Sequence, residues 1–364
     1  MESIYRRPLP AEAIAFASPE GQQLFAEGLA AGGLGGYFAL AEQYHTQSDP
    51  AFCGLGSLVV ALNALAIDPG RTWKGPWRWF SEELLDCCIS LDEVRASGVD
   101  LDTLACLARC NGADATVVRL EHGDDDRLRA AIARASRAPG EVIVVAYDRA
   151  ALGQTGAGHF SPVAGYHAAR DLVLVLDVAR FKYPPHWVPL ARLAEATRHV
   201  DPTTGQARGW LTLRRHEGPQ ALCLSLARAG ASWPEVGRRL RLALAEPWPD
   251  DTTPDALVAS LVEIAAHCET HAPDDAEHAA AIAPVLAALR ATEAHRLARP
   301  HAATDEGADA LAALLLLVAQ LRPGRGALGT DLARLRDEAL AEPALRVELE
   351  RLAAQGVALR ALAP

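Results

Sequence analysis

The hydrophobic period changes once along this 364-residue chain, near residue 217, and that change limits the fold more than any other feature. Ahead of it, β-branched and apolar runs bounded by Gly, Asp or Pro predict strands over residues 115–120, 142–147, 160–166, 172–178 and 210–214. Helical spacing predicts helices over 20–31, 54–67 and 102–110. Behind the change, Ala, Leu, Arg and Glu dominate, and apolar residues recur at helical spacing over 254–271, 275–297, 307–321 and 331–362. WPDDTTPD and RPGRGALG separate these segments, and Pro284 and Pro343 are expected to kink or split two of them. The expectation is an α+β domain over residues 1–216 followed by an all-α domain over 217–364.

No apolar stretch is long enough to span a bilayer, and MESIYRRPLPAEAIAF lacks the apolar segment and cleavage site of a secretory signal. Seven cysteines without framework spacing predict reduced thiols and a cytoplasmic protein. The net charge of −11, without any basic run, argues against a nucleic-acid partner. Lys74 and Lys182 are the only lysines among 35 basic residues, and five of the seven tryptophans precede residue 217. The group Trp73, Trp77 and Trp79 reads as core and groove wall.

Within QSDPAFCGLGSL, Cys53 stands at the predicted start of an apolar helix. Unpaired N–H groups and the positive dipole end there favour a thiolate, the nucleophilic form. A nucleophilic cysteine needs a base and a group that orients the base. The strand patterns 160–166 and 172–178, separated by HAAR, predict a hairpin centred on residue 168. In that register His159 lies opposite Asp177, with Cα atoms about 4.5–5.5 Å apart. Gly156 and Gly158 leave room beside His159 for a substrate or another backbone. Gln47, upstream of Cys53, can offer a side-chain N–H to an oxyanion, with the Cys53 backbone N–H as second donor.

QSDPAFCGLGSL, ALNALAIDPGRTWKGPWRWF, LLDCC and GHFSPVAGYHAARDLVLVLDVARFKYPPHWVPL resemble the phytochelatin synthases, glutathione γ-glutamylcysteinyltransferases with a papain-like catalytic domain. The resemblance covers about residues 5–215. It implies a catalytic triad of Cys53, His159 and Asp177 with Gln47 at the oxyanion, the residues already selected on chemical grounds. It implies two acyl transfers: release of glycine from glutathione with a γ-Glu-Cys thioester on Cys53, then transfer to the amino group of a second glutathione or a growing peptide. It further implies no organic cofactor, stimulation by cadmium, zinc and similar thiophilic ions as metal–glutathione thiolate complexes, and compatibility with a homodimer.

Arg180, Lys182 and Tyr183 can bind substrate carboxylates, or Arg180 can form an exposed salt bridge. Cys87, Cys88, Cys106 and Cys110 match family cysteine positions and are candidate soft-metal ligands. Cys106 and Cys110 share one helix face, where packing is the competing role. Cys268 with His267 and His271 invites a metal reading that ordinary helical packing also explains. The second domain lacks the clustered cysteines of plant members, Phe52 stands where some relatives have tyrosine, and Gly56 stands for an alanine. Two other activities compete with the transpeptidase: a glutathione hydrolase on the same triad, and a non-catalytic thiol protein that buffers metal.

Overall fold

The computed structural model describes residues 6–70, 72–120, 124–217, 226–228, 233–245, 248–249, 251–266, 268–270, 276–322 and 326–362. They group into two units: residues 1–68, 80–85 and 91–215 form the first, and residues 69–79, 86–90 and 216–364 the second.

In the first unit the β-branched runs become strands β1 (Ile14–Ala15), β2 (Ala113–Val118), β3 (Val142–Asp148), β4 (Gly158–His167), β5 (Leu172–Val175), β6 (His186–Pro189) and β7 (Gly209–Arg215). Every neighbouring pair is antiparallel, and the sheet runs β1-β6-β5-β4-β3-β7-β2. The helices are α1 (Pro19–Ala30), α2 (Tyr37–Gln43), α3 (Cys53–Ala64), α4 (Leu91–Ser97), α5 (Leu101–Cys110), α6 (Asp125–Ala135) and α7 (Leu190–Arg198). The unit is therefore α+β with an antiparallel sheet. Val118, Ile143, Val145, Tyr147 and Trp210 of the sheet share a buried cluster with Ile132 of α6 and Leu193 of α7. Each such side chain contributes about 1.5–3 kcal/mol by leaving water.

Local chemistry marks where helices begin. Ser18 accepts a hydrogen bond from the Gly21 N–H at 3.0 Å just before Pro19, and Asp100 accepts one from the Thr103 N–H at 2.7 Å. Helix α3 differs, because Phe52 precedes it and has no side-chain cap to give. Its first N–H groups are left for other partners. Gly54 to Asn63 are all buried, the mark of an interior helix. Asn63 is satisfied there by the backbone of Phe80, donating to its carbonyl at 3.0 Å and accepting from its N–H at 3.2 Å.

The expected hairpin forms, with a shifted register. Tyr166 faces Val173 and His167 faces Leu172, whereas beyond an irregularity Val163 faces Val175. Continuing that pairing sets Ser161, not His159, across from residue 177. The cause is the connection, a 3-10 turn over Ala168–Arg170 closed by Asp171 at φ 50°, which displaces the centre of the hairpin. Strand β5 ends at Val175, so Asp177 lies beyond the ladder. The Leu176 N–H, donated to the Pro162 carbonyl at 3.0 Å, still holds that end against β4.

The second unit holds β8 (Leu226–Arg228), α8 (Trp233–Ala245), α9 (Pro254–Ala265), β9 (Cys268–Thr270), α10 (Ala276–Ala291), α11 (Glu293–Ala298), α12 (Asp305–Leu321), α13 (Gly326–Ala341) and α14 (Pro343–Leu362). Helix α12 is its centre, buried without interruption from Ala308 to Ala319. Pro284 sits inside α10, while Pro343 opens α14, where a missing N–H costs little. The all-helical expectation fails at β8 and β9, which pair antiparallel. Three-residue strands are too short to leave a readable alternation. Trp73, Trp77 and Trp79 are exposed by 38, 70 and 44%, against their reading as core. The chain reverses between Trp73 and Trp77, with the Trp73 N–H on the Trp77 carbonyl at 2.7 Å, and Lys74 Nζ stands 4.8 Å above the Trp73 ring.

Candidate active site

Cys53 is the first residue of α3, half-buried, with a sulfur hydrogen-bonded by His159 and by the backbone of Phe160. Helix α3 can start against Val99, in the loop between α4 and α5, because Gly54 carries no side chain. A Cβ there would stand 2.4 Å from Val99 Cγ2 and 3.4 Å from the Phe160 ring. Burial raises the Cys53 thiol pKa, but the His159 charge, its hydrogen bond, the Phe160 backbone and Arg149 outweigh burial and bring it below its ordinary value. The group is thus biased toward thiolate.

His159 is buried on β4, with Tyr147 of β3 directly across from it. The Tyr147 ring stands edge-on, centroids 5.6 Å apart, and screens the imidazole. Nε2 lies 2.9 Å from Asp177 Oδ1, so the carboxylate fixes the proton on Nε2 and leaves Nδ1 for the sulfur. Burial lowers the imidazole pKa, and Asp177 together with the Cys53 charge outweighs burial and the Arg149 charge, so that the net shift is upward.

Asp177 is fully buried. Its Oδ1 also accepts from Arg149 Nη2 and from the Ala179 N–H, both at 2.9 Å, and Oδ2 lies 2.8 Å from Arg149 Nη2. Burial favours the neutral acid, yet His159, Arg149 and His186 together hold the carboxyl well below the usual carboxylate range. The backbone here is tied to the loop ahead of Cys53. Tyr44 Oη donates to the Asp177 carbonyl at 2.5 Å, and the Gln47 N–H donates to the Val178 carbonyl at 3.0 Å. Nucleophile, base and orienting carboxylate are thereby set on one frame.

The Gln47 carboxamide is buried beside this frame, but its Nε2 donates to the carbonyls of Asp49 at 2.8 Å and Pro50 at 3.0 Å. Its Oε1 has no hydrogen-bond partner. An N–H for an oxyanion therefore requires one of these two bonds to open. Arg180 is exposed, with its guanidinium 4.8 Å above the Tyr44 ring, and it makes no ion pair among the described residues. Lys182 reaches the Thr155 carbonyl; partial burial and then the Arg149 charge lower its pKa. Tyr183 is buried, and its hydroxyl accepts from the Thr155 N–H at 2.8 Å, bracing the 154–155 loop. The room expected at Gly158 belongs to Arg208, whose Nη1 would lie 2.2 Å from a Cβ at that position.

Arg208 was not legible from the sequence pattern, nor were Asp201, Arg149, Gln154, His186 and Tyr44. Arg208 Nη1 donates to Asp201 Oδ2 at 2.7 Å, while its Nε is buried without a partner. The one available hint was Arg149 itself, an arginine directly after an apolar strand.

The metal candidates differ in oxidation state. Cys87 and Cys88 are consecutive buried residues with sulfurs 3.8 Å apart, and Cys106 and Cys110 lie on α5, buried and half-buried. Cys88 and Cys106 are disulfide-bonded, whereas Cys87 and Cys110 carry thiols. The reduced-thiol expectation thus fails for Cys88 and Cys106, which have no thiolate to give a metal. Linear spacing does not reveal the Cα separation a disulfide requires. His267, His271 and the Cys268 side chain lie outside the described residues.

The family model for phytochelatin synthase matches residues 4–210. Glutathione gamma-glutamylcysteinyltransferase 1 of Lotus japonicus is 46% identical over 241 residues, 66% of this chain and 48% of the Lotus protein. Its Arabidopsis thaliana namesake is 46% identical over 242 residues, 66% of this chain and 50% of that protein. The Schizosaccharomyces pombe glutathione gamma-glutamylcysteinyltransferase is 40% identical over 239 residues, 66% of this chain and 58% of its own length. The chain spans about half the length of the plant relatives it matches.

Proposed function

The chain belongs to the phytochelatin synthase family, and on that premise we propose that it is a glutathione γ-glutamylcysteinyltransferase with a papain-like catalytic domain. The observation that carries the reading is the set Cys53, His159 and Asp177, joined by hydrogen bonds in the order a thiol nucleophile needs.

In the first step the Cys53 thiolate attacks the carbonyl of the Cys–Gly peptide bond of glutathione. The oxyanion that forms is held by the Cys53 N–H at the uncapped start of α3, with Gln47 as second donor once an Nε2–H leaves a carbonyl. Collapse breaks the C–N bond, the His159 imidazolium gives its Nδ1 proton to the departing glycine amine, and γ-Glu-Cys remains as a thioester. In the second step the amino group of another glutathione, or of a growing chain, attacks the thioester. His159 takes that proton, Cys53 leaves as thiolate, and (γ-Glu-Cys)n-Gly is released. Asp177 keeps the imidazole in the tautomer both steps use. The Asp201–Arg208 pair suits an amino-acid headgroup, which carries one charge of each sign. Arg180 and Lys182 are proposed for carboxylates of the acceptor.

Thiophilic ions such as cadmium and zinc enter as part of the substrate, bound to glutathione thiolates. A cytoplasmic location and a homodimer belong to the same proposal. No single described helix is long and apolar enough to cross a membrane.

The test is to incubate the protein with millimolar glutathione and zinc or cadmium and to resolve the products by mass. Glycine with (γ-Glu-Cys)2-Gly supports the transferase. Glycine with γ-Glu-Cys alone makes the protein a hydrolase. Metal uptake without glycine release, unaffected by Cys53→Ala, makes it a thiol buffer.

A further inference from the structure

A second polar chain ends on Asp177 through Arg149. His186 of β6 is fully buried, and its Nδ1 lies 2.8 Å from the Pro184 carbonyl, which can only accept. Nδ1 therefore carries the proton and Nε2 a lone pair. Gln154 Nε2, at 2.9 Å, must then be the donor to His186 Nε2. This fixes the amide, because Gln154 Oε1 is left to accept from Arg149 Nη1 at 2.5 Å. Arg149 turns its other terminal nitrogen, Nη2, onto Asp177. Each bond has one permitted direction, from the Pro184 carbonyl to the Asp177 carboxylate.

We propose that Gln154 and His186 are positioning residues of the Cys53 site, which fix the point at which Arg149 grips Asp177. The inference rests on the reading of Cys53 as nucleophile and His159 as its base.

The grip matters because Asp177 is shared. His159 and Arg149 both draw on its negative charge, so the position of the guanidinium sets how firmly Asp177 holds a proton on His159. The charged and titratable groups that face His159 are Asp177 beyond β5, Arg149 beyond β3, Cys53 on α3 and Tyr147 on β3. Those that face Arg149 are Asp177, Tyr147, Cys53 and His186, with Lys182 near and Tyr183 stacked beneath it at 5.0 Å. Asp177 stabilises the imidazolium and Arg149 opposes it. Burial holds His186 below its ordinary pKa, which keeps it neutral and able to accept from Gln154. A side chain at 154 or 186 that cannot continue the chain releases Arg149 from its place. The imidazolium of His159 then persists to higher pH.

The experiment uses the full chain with labelled histidine and follows the His159 ring by NMR against pH, a readout that needs no substrate. Gln154→Met keeps the volume and removes donor and acceptor; His186→Phe removes both the Nε2 acceptor that meets Gln154 and the Nδ1–H that meets the Pro184 carbonyl. Each is expected to raise the His159 midpoint by about half to one pH unit. The double variant moves it no further than either single one, since all three break one chain. His186→Gln, which can accept and donate at the same places, returns the midpoint toward wild type. In glycine release from glutathione, the alkaline limb of kcat/KM follows the NMR midpoint, and KM changes by less than about two-fold. A midpoint unmoved in both single variants, or shifts that add in the double, overturns the proposal. If His186→Phe fails to fold, Gln154→Met and His186→Gln decide it. Absence of glycine release from the wild type would strike the functional reading alone, since the His159 titration still reports on the chain.

Discussion

His159 Nε2 and Asp177 Oδ1 are 2.9 Å apart, although the strand register sets Ser161 across from residue 177. Positions 159 and 161 share one face of β4, and a diagonal neighbour two residues along remains within reach of a long side chain. An even register error thus preserved the contact, where an odd one would have put the two groups on opposite faces.

Asp177→Asn tests that contact. The amide cannot replace a carboxylate that takes three donors on one oxygen, and it no longer stabilises an imidazolium. Glycine release should lose about 10³- to 10⁴-fold in kcat. Stability should also fall, by roughly 3–5 kcal/mol, because Arg149 is left buried without its counter-charge. Stopped assays and thermal melts read the two effects separately; a loss below ten-fold in rate would remove Asp177 from the mechanism.

The part of the site that could be read from the sequence is the part with local signatures. A proline-containing approach followed by an apolar run marks the start of α3 and delivers Cys53, and two apolar runs around HAAR mark the hairpin. Pairing arithmetic reaches Asp177 because a two-residue offset in register leaves His159 on the same face of β4. The missing part is held by ends of strands that meet only in three dimensions. Arg149, Gln154 and His186 lie beyond β3, in a loop and at the start of β6, and no periodicity links them. The same holds for Cys88 and Cys106, whose oxidation depends on distances that sequence does not encode, and for the exposed Trp73, Trp77 and Trp79, where a turn overrides hydrophobicity.

The pH dependence follows from the two shifts at the nucleophile and base. Cys53 lies below its ordinary value and His159 above its own, and both shifts favour the thiolate–imidazolium pair over the neutral one. Acylation should rise as pH passes the depressed thiol value and fall as it passes the raised imidazole value. At pH 6 an unperturbed thiol of pKa about 8.5 is roughly 0.3% ionised. Cys53 should alkylate with iodoacetamide at pH 6 far faster than that fraction allows, as read by mass spectrometry of its peptide. The shifts of His159 and Asp177 act on stability with opposite sign. The His159 contribution is fully present below about pH 6.5 and is lost as pH rises through its raised value, while that of Asp177 is present above about pH 3.9 and is lost as pH falls through its depressed one.

Gln47 separates two roles. If its amide serves the oxyanion, Gln47→Ala lowers kcat by about 10²- to 10³-fold and leaves KM nearly unchanged. Its bonds to the Asp49 and Pro50 carbonyls also shape the loop that delivers Cys53. Gln47→Glu turns an acceptor toward those carbonyls and should therefore lose more stability than the alanine variant, about 1–3 kcal/mol. Equal kcat for Gln47→Ala and wild type would leave the Cys53 N–H as the sole donor of the pair.

Two glycines of α3 give the sharpest contrast. In a helix, Gly→Ala is worth about 1 kcal/mol of added stability when space permits. At Gly54 it does not, since the new methyl meets Val99 Cγ2 at 2.4 Å and the Phe160 ring at 3.4 Å. Val99, in the loop between α4 and α5, is β-branched and cannot swing a single terminal atom aside, so the start of α3 and that loop must move apart. Overpacking of this kind costs roughly 1–3 kcal/mol and exceeds the gain in propensity. It also moves Cys53, the adjacent residue, relative to His159 and Phe160, so glycine release should drop by about ten-fold or more. At Gly56 the nearest atoms are Gln47 Cβ at 3.2 Å and Glu82 Oε1 at 3.3 Å. A few tenths of an ångström of relief in those side chains suffices, and propensity then offsets the crowding. Gly56→Ala should therefore melt within about 0.5 kcal/mol of wild type and keep its rate. Equal melting temperatures for the two variants would show that α3 does not depend on close approach at Gly54.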